Sequence, residues 1–117
     1  MDEDNKLIPV AMQIILHAGD ARTKANQALD AVEVNDYEKA SKLIKEAREN
    51  IAQAHQAQTD IIQGEAAGEV YEPCLLFTHA QDTLMTIMTE VNLTERLIQL
   101  FNGLNSRFEA IEHNHLN

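Results

Sequence analysis

Apolar and small residues recur every three or four positions along nearly the whole chain, and little interrupts them. That spacing is the signature of a helix burying one face. In the first stretch it passes through Ala11, Ile14, Ile15, Ala18, Ala25, Ala28, Leu29 and Val32. In the second it takes in Tyr37, Ala40, Leu43, Ile44, Ala47, Ile51, Ala54 and Ile61. The third carries Phe77, Ala80, Leu84, Met88, Val91, Ile98, Leu104 and Phe108 toward the expected core. No segment shows the strict alternation of a half-buried strand. Two prolines and four glycines in 117 residues leave few places to break, and Ala, Leu, Gln, Glu and Lys all favour helix.

The breaks set the boundaries. In Asn35-Asp36-Tyr37-Glu38, Asn35 is the expected cap of a second helix, with Glu38 completing a capping box three residues later. Gly64 and Gly68 mark the one substantial loop, 64–73, and Pro73 suits a first helical turn, where a missing N–H does no harm. Gly19 interrupts the first pattern at some cost in propensity and leaves room for another element to approach. The spacing predicts helices over 8–33, 36–64 and 73–111, with His113 to Asn117 frayed. Short links between long helices make neighbours antiparallel. The expected fold is all-α, a single-domain up-down-up three-helix bundle. A chain of this size hides roughly 65% of its unfolded surface, enough for one core.

The net charge of −10 repels nucleic acid and anionic lipid. It serves solubility and also suits a basic protein partner. The single cysteine, Cys74, allows no intramolecular disulfide and no Cys-rich metal site, and it reads as a small buried residue. The opening MDEDNK lacks the basic start of a signal peptide. No apolar run approaches the ~20 residues needed to cross a bilayer. The expectation is a soluble, cytoplasmic protein with no membrane insertion.

The third helix carries a second seam. A heptad drawn from Leu75 passes through His79, Asp82, Thr86, Thr89, Leu93, Arg96 and Leu100, away from the core stripe. One reading is a solvated face with a few exposed leucines. The other is a self-association seam, where this helix meets its symmetry mates. Copies of Asp82 would then lie side by side, and clustered carboxylates must bind a proton or a cation. Oxygen ligands suit Mg²⁺ or Ca²⁺, although the spacing alone does not specify that site.

Among the five histidines, His79 stands out because Asp82 follows three residues later on the same helical face. An imidazole is nucleophilic near neutral pH, and a carboxylate can orient it. Thr78 and Gln81 offer hydrogen bonds within one turn. His17 and His55 read as boundary or structural residues, with His55 able to face His79 across the bundle, and His113 and His115 fall in the tail. There is no phosphate-cradling Gly-rich loop, no HExxH and no GxSxG. A self-sufficient kinase or hydrolase is therefore not expected.

The run Thr78-His79-Ala80-Gln81-Asp82-Thr83-Leu84-Met85-Thr86 resembles the signature helix of the lactose/cellobiose-type IIA proteins of the sugar phosphotransferase system. Ile14-Ile15-Leu16-His17-Ala18-Gly19-Asp20-Ala21-Arg22 is similar to that family's first-helix motif. Ala54-His55-Gln56-Ala57-Gln58-Thr59, leading into Ile61-Ile62-Gln63-Gly64-Glu65, is similar to the end of its second helix. The blocks keep the family's order and spacing, from about residue 10 to residue 105.

The resemblance implies a homotrimer of three-helix subunits. It implies that His79 accepts a phosphoryl group from the phosphocarrier protein HPr and donates it to a cysteine of a IIB protein or domain, during uptake and phosphorylation of a sugar. It places Gln81 near the phosphorylation site. It makes Asp82, one from each subunit, the ligand of a divalent metal on the trimer axis, Mg²⁺ being the expected ion. One position departs from the pattern. Relatives often carry a second histidine directly after the aspartate, and here Thr83 stands there; its hydroxyl can donate a hydrogen bond but cannot act as a base. The sugar is not encoded, and lactose, cellobiose and chitobiose types are all compatible. The competing readings are a non-enzymatic three-helix interaction module and a histidine phosphotransfer domain of two-component signalling, whose neighbouring Lys and Gly are missing from residues 79–83.

Overall fold

The computed structural model describes residues 5–116. It contains α1 (Leu7–Glu33), α2 (Tyr37–Ala66) and α3 (Leu75–Leu116), and no strand occurs among the described residues. Residues 1–4 of the acidic start, and Asn117, lie outside them.

The first link corrects the expected cap. Asn35 does not begin α2; it ends α1, with φ at 59°. Its N–H donates to the Val32 carbonyl at 2.9 Å, and the Asp36 N–H reaches the Ala31 carbonyl at 2.9 Å. This is a Schellman closure, and Asn tolerates its left-handed residue better than other side chains do. Asp36 then caps α2 by accepting the Lys39 N–H at 3.1 Å. Glu38 consequently falls one position too early to complete a capping box.

Gly64 does not end α2, which continues to Ala66. The break comes at Gly68, whose φ of +102° suits glycine. There the Glu69 N–H closes onto the Gly64 carbonyl at 2.9 Å. Gly64 matters for a different reason. A Cβ there would lie 2.7 Å from the Tyr71 hydroxyl and 2.8 Å from the Glu69 carboxylate. Its bare backbone lets the loop fold over α2, where Tyr71 donates to Glu69 at 2.8 Å. That bond holds the phenol above its usual pKa. Gly19, by contrast, faces open space, so no element approaches it.

The core is built on an alanine face. Ala11, Ala18, Ala21, Ala25, Ala28 and Ala31 of α1 are buried, together with Leu7 and Ile14. Small residues let helix axes come toward the close end of the usual 8–10 Å spacing. Accordingly α1 packs extensively on both other helices, while α2 and α3 touch less. α3 supplies the bulk through Phe77, Leu84, Ile87, Val91 and Ile98. Each such large side chain, fully buried, stabilises the fold by about 1.5–3 kcal/mol. Two bidentate ion pairs hold α3 from either side: Arg22–Glu90 at 2.8 and 2.9 Å, and Arg48–Glu95 at 2.6 and 2.8 Å. Both are solvent-accessible, so each contributes only about 0.2–1 kcal/mol. The Arg48 hydrogen bond keeps the Glu95 carboxyl below the usual carboxylate range.

α1 and α3 run parallel at a constant offset of 68 residues, Asn5 meeting Pro73 and Arg22 meeting Glu90. Carried forward, Glu33 at the end of α1 comes level with Phe101. α3 continues past that point for about four more turns, which gives the molecule its 73 Å long axis. Ile98 is the last buried apolar residue of α3. Leu104 and Phe108, expected in the core, are instead exposed, because they lie past the end of α1 and on the side of α3 that carries Leu93 and Leu100 rather than Ile98. Nor is the end frayed: His113 and His115 belong to the helix.

Candidate functional site

His79 sits in the second turn of α3, directly after the loop that joins it to α2. Its neighbour Ala80 is fully buried and Phe77 nearly so, which turns His79 outward. Asp82, three residues on, shares that outward face and is exposed as well. Neither side chain makes a hydrogen bond or ion pair among the described residues. Both ring nitrogens of His79 are therefore open to an incoming group, and no side chain among the described residues pins its tautomer.

The whole second seam is exposed. Leu75 is 85% accessible, Leu93 58% and Leu100 59%, and His79, Asp82, Thr86, Thr89 and Arg96 lie in the open with them. Beyond Leu100 the exposed apolar positions continue through Leu104, Phe108 and Ile111. The seam is polar from His79 to Thr89 and apolar at Leu93, Leu100, Leu104, Phe108 and Ile111, with Arg96 between.

Gln81 faces elsewhere. Residues two apart on a helix point to opposite sides, and Gln81 is half-buried in a cleft of about 270 Å³ shared with Leu7, Ile61, Phe77 and Thr78. Cys74, expected to be buried, is only half-buried and lines the same cleft. The Thr83 hydroxyl donates to the His79 backbone carbonyl at 2.9 Å. His17 is half-buried on α1, as a boundary residue would be. His55 is exposed on α2, with Thr59 Oγ1 3.4 Å from its Nδ1.

Among the described residues no three His, Cys, Asp or Glu side chains come together in one chain. Asp82 offers a single carboxylate, so a metal could be held there only where several copies meet. Cationic support for an anion is also absent from this part of α3, whose first basic residue is Arg96. The Arg22–Glu90 and Arg48–Glu95 pairs, which join α3 to α1 and α2, were not legible in the sequence. Their partners lie 68 and 47 residues apart, and no local spacing links them. No helix among the described residues is long and apolar enough to cross a membrane.

The profile of the family described as "PTS system, Lactose/Cellobiose specific IIA subunit" matches residues 9–102. The lichenan-specific phosphotransferase enzyme IIA component of Bacillus subtilis is 42% identical over 92 residues, covering 79% of this chain and 84% of that protein. The crystal structure of the cellobiose-specific enzyme IIA from Bacillus anthracis superposes with a TM-score of 0.80 at 36% identity, covering 86% of this chain and 93% of that one. The IIA(Chitobiose) of Escherichia coli, solved in complex with HPr, gives a TM-score of 0.73 at 34% identity over 86% of this chain and 97% of that one. A shared fold, the three matching sequence blocks and a match across most of the chain converge on one conclusion: the protein belongs to the lactose/cellobiose-specific IIA subunit family of the sugar phosphotransferase system.

Proposed function

We propose that this IIA component carries a phosphoryl group on His79, taking it from HPr and passing it to a cysteine of a IIB partner in the cytoplasm. The observation that carries the reading is the exposed imidazole with both nitrogens unengaged, in a chain of this family. The solved complex of the chitobiose relative with HPr supports the donor.

The chemistry is an exchange between protein nucleophiles. One nitrogen of neutral His79 attacks phosphorus while the other keeps its proton. The N–P bond of phospho-HPr breaks, and its electron pair returns to the HPr imidazole. In the second step a IIB thiolate attacks, an S–P bond forms, and the electron pair of the N–P bond returns to His79. Such transfers depend on positioning and charge stabilisation more than on covalent machinery. This region of α3 carries no Lys or Arg before Arg96, so the docked partner supplies the positive charge. The net charge of −10 favours a partner that brings it.

The same reading makes the exposed seam a homotrimer contact, with three parallel copies of α3 meeting along Leu75, Leu93 and Leu100. Asp82 from each copy then forms a ring of oxygen ligands suited to a hard divalent cation such as Mg²⁺, whose charge would offset the mutual repulsion of the carboxylates. Gln81, on the opposite side of α3 in the cleft it shares with Thr78, takes no part within a single subunit. The sugar is chosen elsewhere in the transport system, within the β-linked disaccharide class of the lactose, cellobiose and chitobiose type.

Two measurements test this. After incubation with phosphoenolpyruvate, enzyme I and HPr, the intact mass of the wild-type chain is expected to rise by one phosphate, and His79→Ala is expected to stay unmodified while keeping its helical content. Uptake by His79→Ala would remove His79 from the reaction. Equilibrium dialysis is expected to find bound Mg²⁺ with wild type and none with Asp82→Leu. Equal stoichiometry in the two would remove Asp82 as a ligand, whereas survival of the oligomer would not, because apolar side chains often replace buried charge favourably.

A further inference from the structure

We propose that Thr83 is the hydrogen-bond donor that holds the phosphoryl group once it is on His79, its hydroxyl leaving the His79 carbonyl to do so. The proposal rests on the carrier reading above.

Thr83 lies one turn after His79, and the two Cβ atoms of such a pair are about 5–6 Å apart. Helical side chains tilt toward the N-terminus, so Thr83 leans back over the His79 turn. In the resting chain its Oγ1 donates to the His79 carbonyl at 2.9 Å. That carbonyl already accepts the Thr83 backbone N–H within the helix, so the hydroxyl is a second donor on a satisfied acceptor. Withdrawing it leaves no buried group unpaired. Threonine in a helix divides between two χ1 rotamers because of this back-bond, and the half-exposed position of Thr83 leaves room to change.

The other polar groups nearby are poorly placed or carry the wrong charge. Gln81 points into the cleft on the far side of α3. Asp82, when ionised, can only accept hydrogen bonds and would repel a phosphoryl dianion. Thr78 is the adjacent residue, turned about 100° away from His79, and donates to Cys74 at 3.4 Å. Thr86 is two turns on, and no Lys or Arg occurs on α3 before Arg96. Thr83 is left as the one neutral donor a single turn from the imidazole on α3. The oxygens of a phosphoryl group are anionic, and charge-assisted bonds to such oxygens are about twice as strong as neutral ones. The switch therefore favours the phosphorylated chain.

The test uses the full chain with phosphoenolpyruvate, enzyme I and HPr. Two quantities are read: the equilibrium ratio of phosphorylated chain to phospho-HPr, and the half-life of the phosphorylated chain after HPr is removed. Thr83→Val keeps the β-branched shape and loses the hydroxyl; it is expected to lower both by about three- to tenfold. Thr83→Ser is expected to stay within about twofold of wild type. Circular dichroism confirms the helices, and Thr83→Ala replaces the valine variant should that one not fold. Wild-type values in the folded hydroxyl-free variant, or a serine variant as impaired as valine, would overturn the role of the hydroxyl while leaving His79 as the carrier. A wild-type chain that takes up no phosphate would overturn the carrier reading itself, and this proposal with it.

Discussion

The two ends of α3 have the same local character and opposite surroundings. From Phe77 to Ile98 one stripe is packed against α1 and α2, and Leu84 is wholly inaccessible. From Leu100 onward the apolar spacing continues through Leu104, Phe108 and Ile111, yet each of these is exposed. The apolar face shifts between the two regions, because Leu104 and Ile111 fall in line with Leu93 and Leu100 of the exposed seam rather than with Val91 and Ile98. In addition α1 ends level with Phe101, so it does not extend alongside the second region. A helical stripe is thus a request for burial, and only the lengths and register of the other helices say whether the same chain can meet it. The exposed end, continuous with the seam that carries His79 and Asp82, is the part of the molecule that the proposed homotrimer would cover.

Substitutions can break this contrast. The largest effect is expected from Leu84→Ala in the packed region, where lost burial and a residual cavity cost about 2–5 kcal/mol. Thermal melting should fall by about 10 °C or more, and an unchanged midpoint would mean that the α1–α3 core is not what holds the fold. The paired change Leu104→Glu with Phe108→Glu is expected to have a smaller effect on the bundle, within about 0.5 kcal/mol for the monomer, as is usual at exposed sites. Its signature lies in assembly: light scattering should show the oligomer dissociating at concentrations where wild type stays associated. Should the double variant lose bundle stability as severely as Leu84→Ala and keep its oligomer, the distal stripe would belong to the intramolecular core after all.

Much of the architecture was readable beforehand. Spacing picks out Ala11, Ile14, Ala18, Ala25 and Ala28, and all five are buried, because the helical period is a local property of the chain. His79 and Asp82 were placed on one face for the same reason, and both are exposed there. Sequence and structure part where local rules compete. Asn35 and Asp36 are both good caps, and the choice between them went to Asp36 because ending α1 required a left-handed residue, which Asn35 adopts. Gly64 looked like a stop and is a contact point, since its missing side chain admits Tyr71. Leu104 and Phe108 are apolar and helical like Val91 and Ile98, but Leu104 lies about 120° round α3 from Ile98, in line with the exposed seam.

By itself the sequence determined that this chain makes three long helices in one all-α bundle, and that an imidazole and a carboxylate share a face of the last one. Both follow from a period of 3.6 residues, which needs no knowledge of distant parts of the chain. The tertiary structure decided where the bundle stops along α3 and which of its two apolar stripes remains uncovered. Those depend on a 68-residue offset between α1 and α3, anchored by contacts such as Arg22–Glu90 that no neighbouring residues encode.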